Sequence, residues 1–139
     1  RSPFIDQMML YNNQNKYTTA LLVPNGDALA RWAKSKNIDI AGPHGPEQVL
    51  MELDSVIGQY RTGGQYDDLF PPRWLPAAIG ILDEPFNAEN KLLNSLGKIV
   101  RAKIVERYSE RIDYLYTAEA KNIANPENLA AIRKVMGIK

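Results

Sequence analysis

Tyr17-Thr18-Thr19-Ala20-Leu21-Leu22-Val23-Pro24-Asn25 is the stretch on which the fold turns. Its β-branched, aromatic and apolar residues run without interruption to Val23, and Pro24-Asn25 stops them, so 17–23 reads as a strand. Upstream, Ile5, Met8, Met9, Leu10 and Tyr11 make a second strand-like run over 5–11, separated from the first by Asn12-Asn13-Gln14-Asn15-Lys16. Two short strands around a polar linker predict a β-hairpin. Downstream, Asn25 is placed to cap a helix whose apolar stripe is Ala28, Leu29, Trp32 and Ala33 and which ends near Asn37.

Beyond that helix, Gly42-Pro43-His44-Gly45-Pro46 is a loop, with Pro46 suited to the first position of the next helix. Val49, Leu50, Leu53, Val56, Ile57 and Tyr60 then recur at three and four residues, the spacing of one buried helix face. Residues 62–76 hold Gly63-Gly64, Pro71-Pro72 and Pro76 among Tyr66, Phe70 and Trp74, a density of breakers that no regular element survives. Ala77 to Leu82 is a short apolar run, read as a third strand packed on the hairpin and ended by Asp83-Glu84-Pro85. Near the end, Asn125-Pro126-Glu127 supplies a cap, a first-turn proline and an acid at the positive end of a helix dipole. Leu129, Ile132 and Met136 are the stripe of that helix, and Gly137 ends it. The expected fold is α+β: a small mixed sheet, made of the N-terminal hairpin plus a third strand, packed with several helices and followed by a C-terminal helical extension.

Between the third strand and that extension lies Leu92-Leu93-Asn94-Ser95-Leu96-Gly97-Lys98-Ile99-Val100-Arg101. Asn94, Ser95 and Gly97 favour turns, whereas from Ile99 onward neither Gly nor Pro interrupts an apolar pattern of helical spacing. Lys98 therefore sits where a loop passes into a helix, a place from which an ammonium can be delivered to a phosphate. In that helix Ile104, Val105, Tyr108, Ile112 and Leu115 fall on one side, with Arg101, Glu106, Arg107, Glu110 and Arg111 largely on the other.

Composition narrows the chemistry. With 139 residues the chain can form one domain burying about 68% of its unfolded surface. Seventeen basic residues against sixteen acidic ones create no global field for a nucleic-acid backbone, so no nucleic-acid partner is expected and any anion site must be local. The lack of cysteine excludes thiolate chemistry and disulfides and is compatible with the cytoplasm, and the single histidine, His44, excludes a multi-histidine metal site. No apolar run approaches the roughly 20 residues of a transmembrane helix. Arg1-Ser2-Pro3 is neither a start methionine nor a signal peptide, so we expect a chain cut from something longer.

Several residues have plain readings. Arg101, Lys103, Arg107 and Arg111 read as a solvated helix face, Trp32 as core and His44 as a surface residue. Asp83 and Glu84 are adjacent on an extended chain, so their carboxylates point to opposite sides and form a polar strand end, not a catalytic pair.

Two blocks together resemble the small C-terminal domain of AMP-forming acyl-activating enzymes, within them the long-chain fatty acyl-CoA synthetases. The first runs from Ser2-Pro3-Phe4-Ile5-Asp6-Gln7 through Val23-Pro24-Asn25 to Ala28-Leu29-Ala30-Arg31-Trp32-Ala33-Lys34; the second is Asn90 to Arg101, similar to the closing loop that carries that family's catalytic lysine. The resemblance covers 1–116 as a lid domain and leaves 117–139 as a helical tail. It implies Lys98 as the catalytic residue, with Gly97 and Arg101 beside the cofactor. Asn94-Ser95-Leu96 stands where long-chain members usually have Thr-Pro-Thr, and Ala102 displaces the second basic residue to Lys103, to which no role is carried over. By the same resemblance the protein is a ligase that uses ATP, Mg2+ and coenzyme A, bound mainly by a large N-terminal domain missing here, with a fatty acid as substrate. A cytoplasmic location follows, with peripheral membrane contact of the full-length protein compatible with it. Two other readings stand beside this one: a non-catalytic interaction module using the basic helix 98–111, and the lid of an acyl-adenylating ligase that passes its acyl group to a carrier protein.

Overall fold

A computed structural model describes residues 3–14, 16–59 and 75–138. The expectations for Tyr60, for most of the breaker-rich segment including Tyr66, Phe70 and Trp74, and for Asn15 lie outside the described residues. Three strands, β1 (Ile5–Tyr11), β2 (Thr19–Pro24) and β3 (Ala78–Ile81), form a mixed sheet in the order β1-β2-β3. The hairpin pair is antiparallel, with Met8 opposite Leu22 and Leu10 opposite Ala20, and β3 runs parallel to β2, with Ala20 opposite Ile79. Asn13 and Gln14 adopt positive φ, 45° and 65°, in the hairpin connection, where a polar linker tolerates them.

All six residues of β2 are buried because the strand is covered on both faces. Met9, Leu21, Val23, Ala78 and Leu82 point to one side, with Phe86, Leu92, Ile104, Ile112 and Leu115. Leu22, Ile79 and Ile81 point to the other, with Leu29, Leu50, Leu53, Ile123 and Ile132. Helices α1 (Gly26–Ser35), α2 (Gly45–Gly58) and α5 (Pro126–Val135) supply the second layer, and α3 (Arg101–Arg107) with α4 (Ser109–Leu115) the first. Gly80 makes the first layer tight: a Cβ there would lie 3.2 Å from Leu21 and 3.4 Å from Leu115.

Helix ends follow the capping residues. Asn25 Oδ1 accepts from the Ala28 N–H at 3.0 Å, and Asn37, at φ 57°, ends α1 while the Ile38 N–H returns to the Ala33 carbonyl. At α5 Asn125 Oδ1 accepts from the Asn128 N–H, and Ile138 and Gly137 donate back to Arg133 and Lys134. Trp32 is half-buried, edge-on to Phe4 with ring centroids 6.3 Å apart.

Two expectations need correction. The basic helix is not continuous: Tyr108, at φ −109° and ψ 25°, separates α3 from α4. The hydrogen bonds Tyr108 N–H to Ile104 O and Ile112 N–H to Tyr108 O persist on either side, so the apolar spacing survives a break that periodicity alone does not register. Arg111 is not part of a solvated face. Burial lowers its pKa, opposed by nearby Glu127. Its Nη1 donates to the Ile81 carbonyl at 2.8 Å, its Nη2 to Asn128 Oδ1 at 2.9 Å, and its Nε pairs with Glu127 Oε1 at 2.8 Å. That last contact is an ion pair off the line of a hydrogen bond.

Asn128, fully buried, closes the outer edge of β3. Its Oδ1 accepts from the Ile81 N–H at 2.8 Å and its Nδ2 donates to the Ile79 and Ile123 carbonyls at 2.7 and 3.0 Å. Replacing it with alanine orphans backbone groups that no water reaches, and Asn128→Ala is expected to cost at least about 2 kcal/mol in urea unfolding. A loss below about 1 kcal/mol would show that the edge is satisfied some other way.

Candidate functional site

The loop between β3 and α3 is fixed at its base and open at its tip. Phe86 and Leu92 are both buried, which ties the two ends of the 86–92 segment into the first core layer. Gln7, on β1, grips the same point from outside. Its Nε2 donates to the Phe86 carbonyl at 3.0 Å and its Oε1 accepts from the Phe86 N–H at 2.8 Å, so one carboxamide satisfies both backbone groups of a buried residue. Between them Asn87 and Asn90 exchange side-chain to backbone bonds of 3.0 and 2.8 Å, and Asn90 Oδ1 accepts again from the Leu92 N–H. These are turns held by asparagine side chains, the conformation for which the residue is suited.

From Leu92 the chain goes out and back as a small hairpin. Leu93 and Ile99 form an antiparallel bridge, and the Val100 N–H donates to the Leu92 carbonyl at 2.8 Å. At the tip, the Asn94 N–H donates to the Lys98 carbonyl at 2.8 Å and the Gly97 N–H to the Asn94 carbonyl at 3.0 Å. Gly97 closes the turn at φ 80°, a left-handed conformation that costs a side-chain-bearing residue about 1–2 kcal/mol.

Lys98 is the first residue of the returning arm, and its side chain is exposed. Among the described residues its ammonium has no hydrogen-bonding or charged partner. Leu96, 80% exposed, and Ile99 flank it. Arg101 opens α3 three residues later, and its guanidinium lies over the Tyr11 ring at 6.0 Å, so it rests on the end of β1. Gly97 and Lys98 thus share the tip, whereas Arg101 belongs to the base. Lys103 is exposed on α3.

The neighbouring charges are internally matched. Arg107 pairs with Glu84 and stacks 5.5 Å from the Tyr108 ring, while Asp83 faces Lys134 at 3.8 Å. The two adjacent carboxylates therefore serve different partners, as expected of an extended strand end. Burial raises the Tyr108 pKa against the opposing pull of Arg107. His44 is exposed, 3.9 Å from Glu47. Among the described residues no three His, Asp or Glu side chains converge as ligands of a metal ion. An open cleft of about 320 Å³ is lined by Asp6, Asn25, Asp83 and Lys134, away from Lys98. No helix of the described residues is long and apolar enough to cross a membrane.

Sequence reasoning missed Gln7, Asn87 and Asn90. The asparagines carry a usable signal, since Asn-x-x-Asn between an apolar strand and a buried leucine fits a pair of reciprocal asparagine turns. Gln7 carries none, because its partner is 79 residues away.

No family model matches the chain. It is 29% identical over 126 residues to a carboxylic acid reductase of Mycobacterium tuberculosis, covering 89% of this chain and 9% of that protein. It is 26% identical over 119 residues to long chain acyl-CoA synthetase 8 of Arabidopsis thaliana, covering 83% of this chain and 16% of that one. Among solved structures it is similar to the adenylation domain of a carboxylate reductase from Mycobacterium chelonae, with a TM-score of 0.57 and 27% identity over 83% of this chain and 16% of that one. It is also similar to the A-PCP didomain of carboxylic acid reductase from Segniliparus rugosus in complex with AMP, with a TM-score of 0.53, 28% identity and coverage of 83% of this chain and 14% of that one. The chain spans between 9% and 19% of the length of the curated relatives it matches. Its homologues are thus carboxylic acid reductase adenylation domains and long-chain acyl-CoA synthetases, consistent with the C-terminal domain of an AMP-forming acyl-activating enzyme.

Because Gln7 alone satisfies the Phe86 backbone from the sheet side, Gln7→Ala is expected to destabilise the chain by about 1–3 kcal/mol. Amide hydrogen exchange should quicken at Phe86 before it does in β2. Unchanged protection at Phe86 would show that the loop base holds without the clamp.

Proposed function

We propose that this chain is the mobile C-terminal domain of an AMP-forming acyl-activating enzyme and that Lys98 is its catalytic group. The observation that carries the reading is a lysine held at the tip of a structured hairpin, exposed and without a partner, on a loop whose base is locked into the core. A solvated lysine on an ordinary helix face needs none of that scaffolding.

In the first half-reaction a carboxylate oxygen of the acyl substrate bonds to the α-phosphorus of ATP, the bond to the bridging oxygen breaks, and pyrophosphate leaves. Charge develops on oxygens around that phosphorus. An ammonium is compact enough to reach both the carboxylate and the phosphate, and placed beforehand it stabilises the transition state electrostatically. Gly97 keeps the approach open by having no side chain next to the lysine, and Arg101 supplies positive charge three residues on. Mg2+, where bound, neutralises phosphate charge on residues outside those described here.

The second half-reaction transfers the acyl group from adenylate to a thiol sulfur as AMP leaves, and it needs the lysine withdrawn. Mounting Lys98 on a small domain lets one rotation remove it. The finer reading is a long-chain fatty acid substrate and coenzyme A as acceptor, in a cytoplasmic enzyme that meets membranes peripherally. Residues 1–116 are then the lid, and the helical tail 117–139 is built into its core through Ile123, Asn128 and Ile132. Similarity to an A-PCP didomain gives the carrier-protein acceptor equal standing as a second reading.

The test is ATP-pyrophosphate exchange driven by fatty acids in the polypeptide that joins this chain to its adenylation body. Lys98→Ala is expected to lower exchange by some hundreds-fold, equivalent to about 2.7–4 kcal/mol of barrier, and to spare thioester formation from supplied acyl-adenylate. Equal loss of both half-reactions would count against the assignment, and trials with coenzyme A and with a carrier protein would separate the acceptors.

A further inference from the structure

The backbone of Lys98 is held by a single residue, Asn94, through its side chain on one side and its main chain on the other. Asn94 Oδ1 accepts from the Leu96 N–H at 2.8 Å and from the Lys98 N–H at 3.0 Å, while its own backbone N–H donates to the Lys98 carbonyl at 2.8 Å and its carbonyl accepts from the Gly97 N–H at 3.0 Å. Both backbone polar groups of Lys98 therefore end on Asn94. The Asn94 N–H bond to the Lys98 carbonyl and the Val100 N–H bond to the Leu92 carbonyl together make the Leu93–Ile99 bridge at the foot of the turn. We propose that Asn94 is the positioning residue of the lysine loop, its carboxamide oxygen fixing the backbone of Lys98 before any substrate arrives.

The inference rests on the catalytic reading of Lys98 and adds to it. Leu96 and Lys98 are exposed, so without the carboxamide their N–H groups exchange a fixed acceptor for water and the turn samples other conformations. A flexible tip still carries an ammonium, but it spends less time where a phosphate needs it. Misplacement by about 1 Å is enough to lower a rate by about a hundred-fold. A serine at 94 retains a hydroxyl acceptor that can form the same kind of turn more weakly, whereas an alanine retains none.

Two measurements test this. In the present chain, Asn94→Ala should lower the NMR order parameters of Leu96 and Lys98 from about 0.85 towards 0.6 and leave those of Phe86 and Ile81 unchanged. In the polypeptide with its adenylation body, Asn94→Ala should lower kcat for adenylation by about a hundred-fold with little change in KM, and Asn94→Ser should recover at least a tenth of the lost rate. Unchanged order parameters at Leu96 and Lys98 in Asn94→Ala would overturn the proposal, as would a fall in KM-governed binding with kcat preserved. Lys98→Ala, run beside them, keeps the two readings apart. If it leaves exchange intact, the catalytic role of Lys98 fails, while the order parameters still decide whether Asn94 fixes the loop.

Discussion

The structure depends on how the outer edge of β3 is terminated. A three-stranded sheet has two edges, and at β3, where every residue is buried, an edge deprived of both water and a neighbouring strand would leave its backbone groups unpaired. Here α5 brings Asn128 to that edge, and its carboxamide does what a fourth strand would do, accepting from Ile81 and donating to Ile79. Arg111 completes the edge by donating to the Ile81 carbonyl and to the same Asn128 oxygen, and Glu127 balances its charge. One residue from α4 and two from α5 thus meet on four residues of strand. Neither helix could shift without orphaning groups inside the core, which fixes both layers against the sheet.

That rigidity is what makes the lysine loop useful. Layer one, set by Leu115 against Gly80, holds Ile104 and Leu92, and Leu92 starts the hairpin that ends in Lys98. Gln7 fixes the far end of the same segment to β1. The break at Tyr108 has a place in this order. Ile104 before it and Ile112 and Leu115 after it pack into the same core cluster, while Arg111 reaches the outer edge of β3.

Sequence made the sheet and the helices legible because those features are local. The strand-like run in 5–11, the proline-asparagine stop at 24 and 25, and the proline-led start at 126 each act within a few residues, and each element lies where that chemistry puts it. What stayed hidden is what depends on long loops of sequence. Arg111 looks like any arginine on a basic helix, and its burial is decided by Asn128 and Ile81, 17 and 30 residues away. Gln7 is an unremarked polar residue on a strand until Phe86 arrives opposite it. Asn94 was legible only as a turn former: its residue type announces a bend, and nothing in the type says which N–H groups its oxygen will collect.

The division between a locked base and an open tip also has an energetic reason. Fixing a residue's backbone costs about 1–2 kcal/mol of entropy, and immobilising a lysine side chain about 1.5–2 kcal/mol more. If the whole tip from Asn94 to Lys98 were disordered, closure onto a substrate would have to supply both terms for several residues, and little binding energy would remain for the transition state. Because the hairpin and the asparagine turn already order the backbone, closure on the proposed reading would have only the lysine side chain to immobilise and its ammonium to strip of water. The exposed leucine and isoleucine on either side add apolar area at that place, so part of the desolvation is favourable in itself. On the catalytic reading proposed for Lys98, a lysine mounted in this way would be engaged for one half-reaction and released for the next, because what holds it in position belongs to this chain and would travel with it.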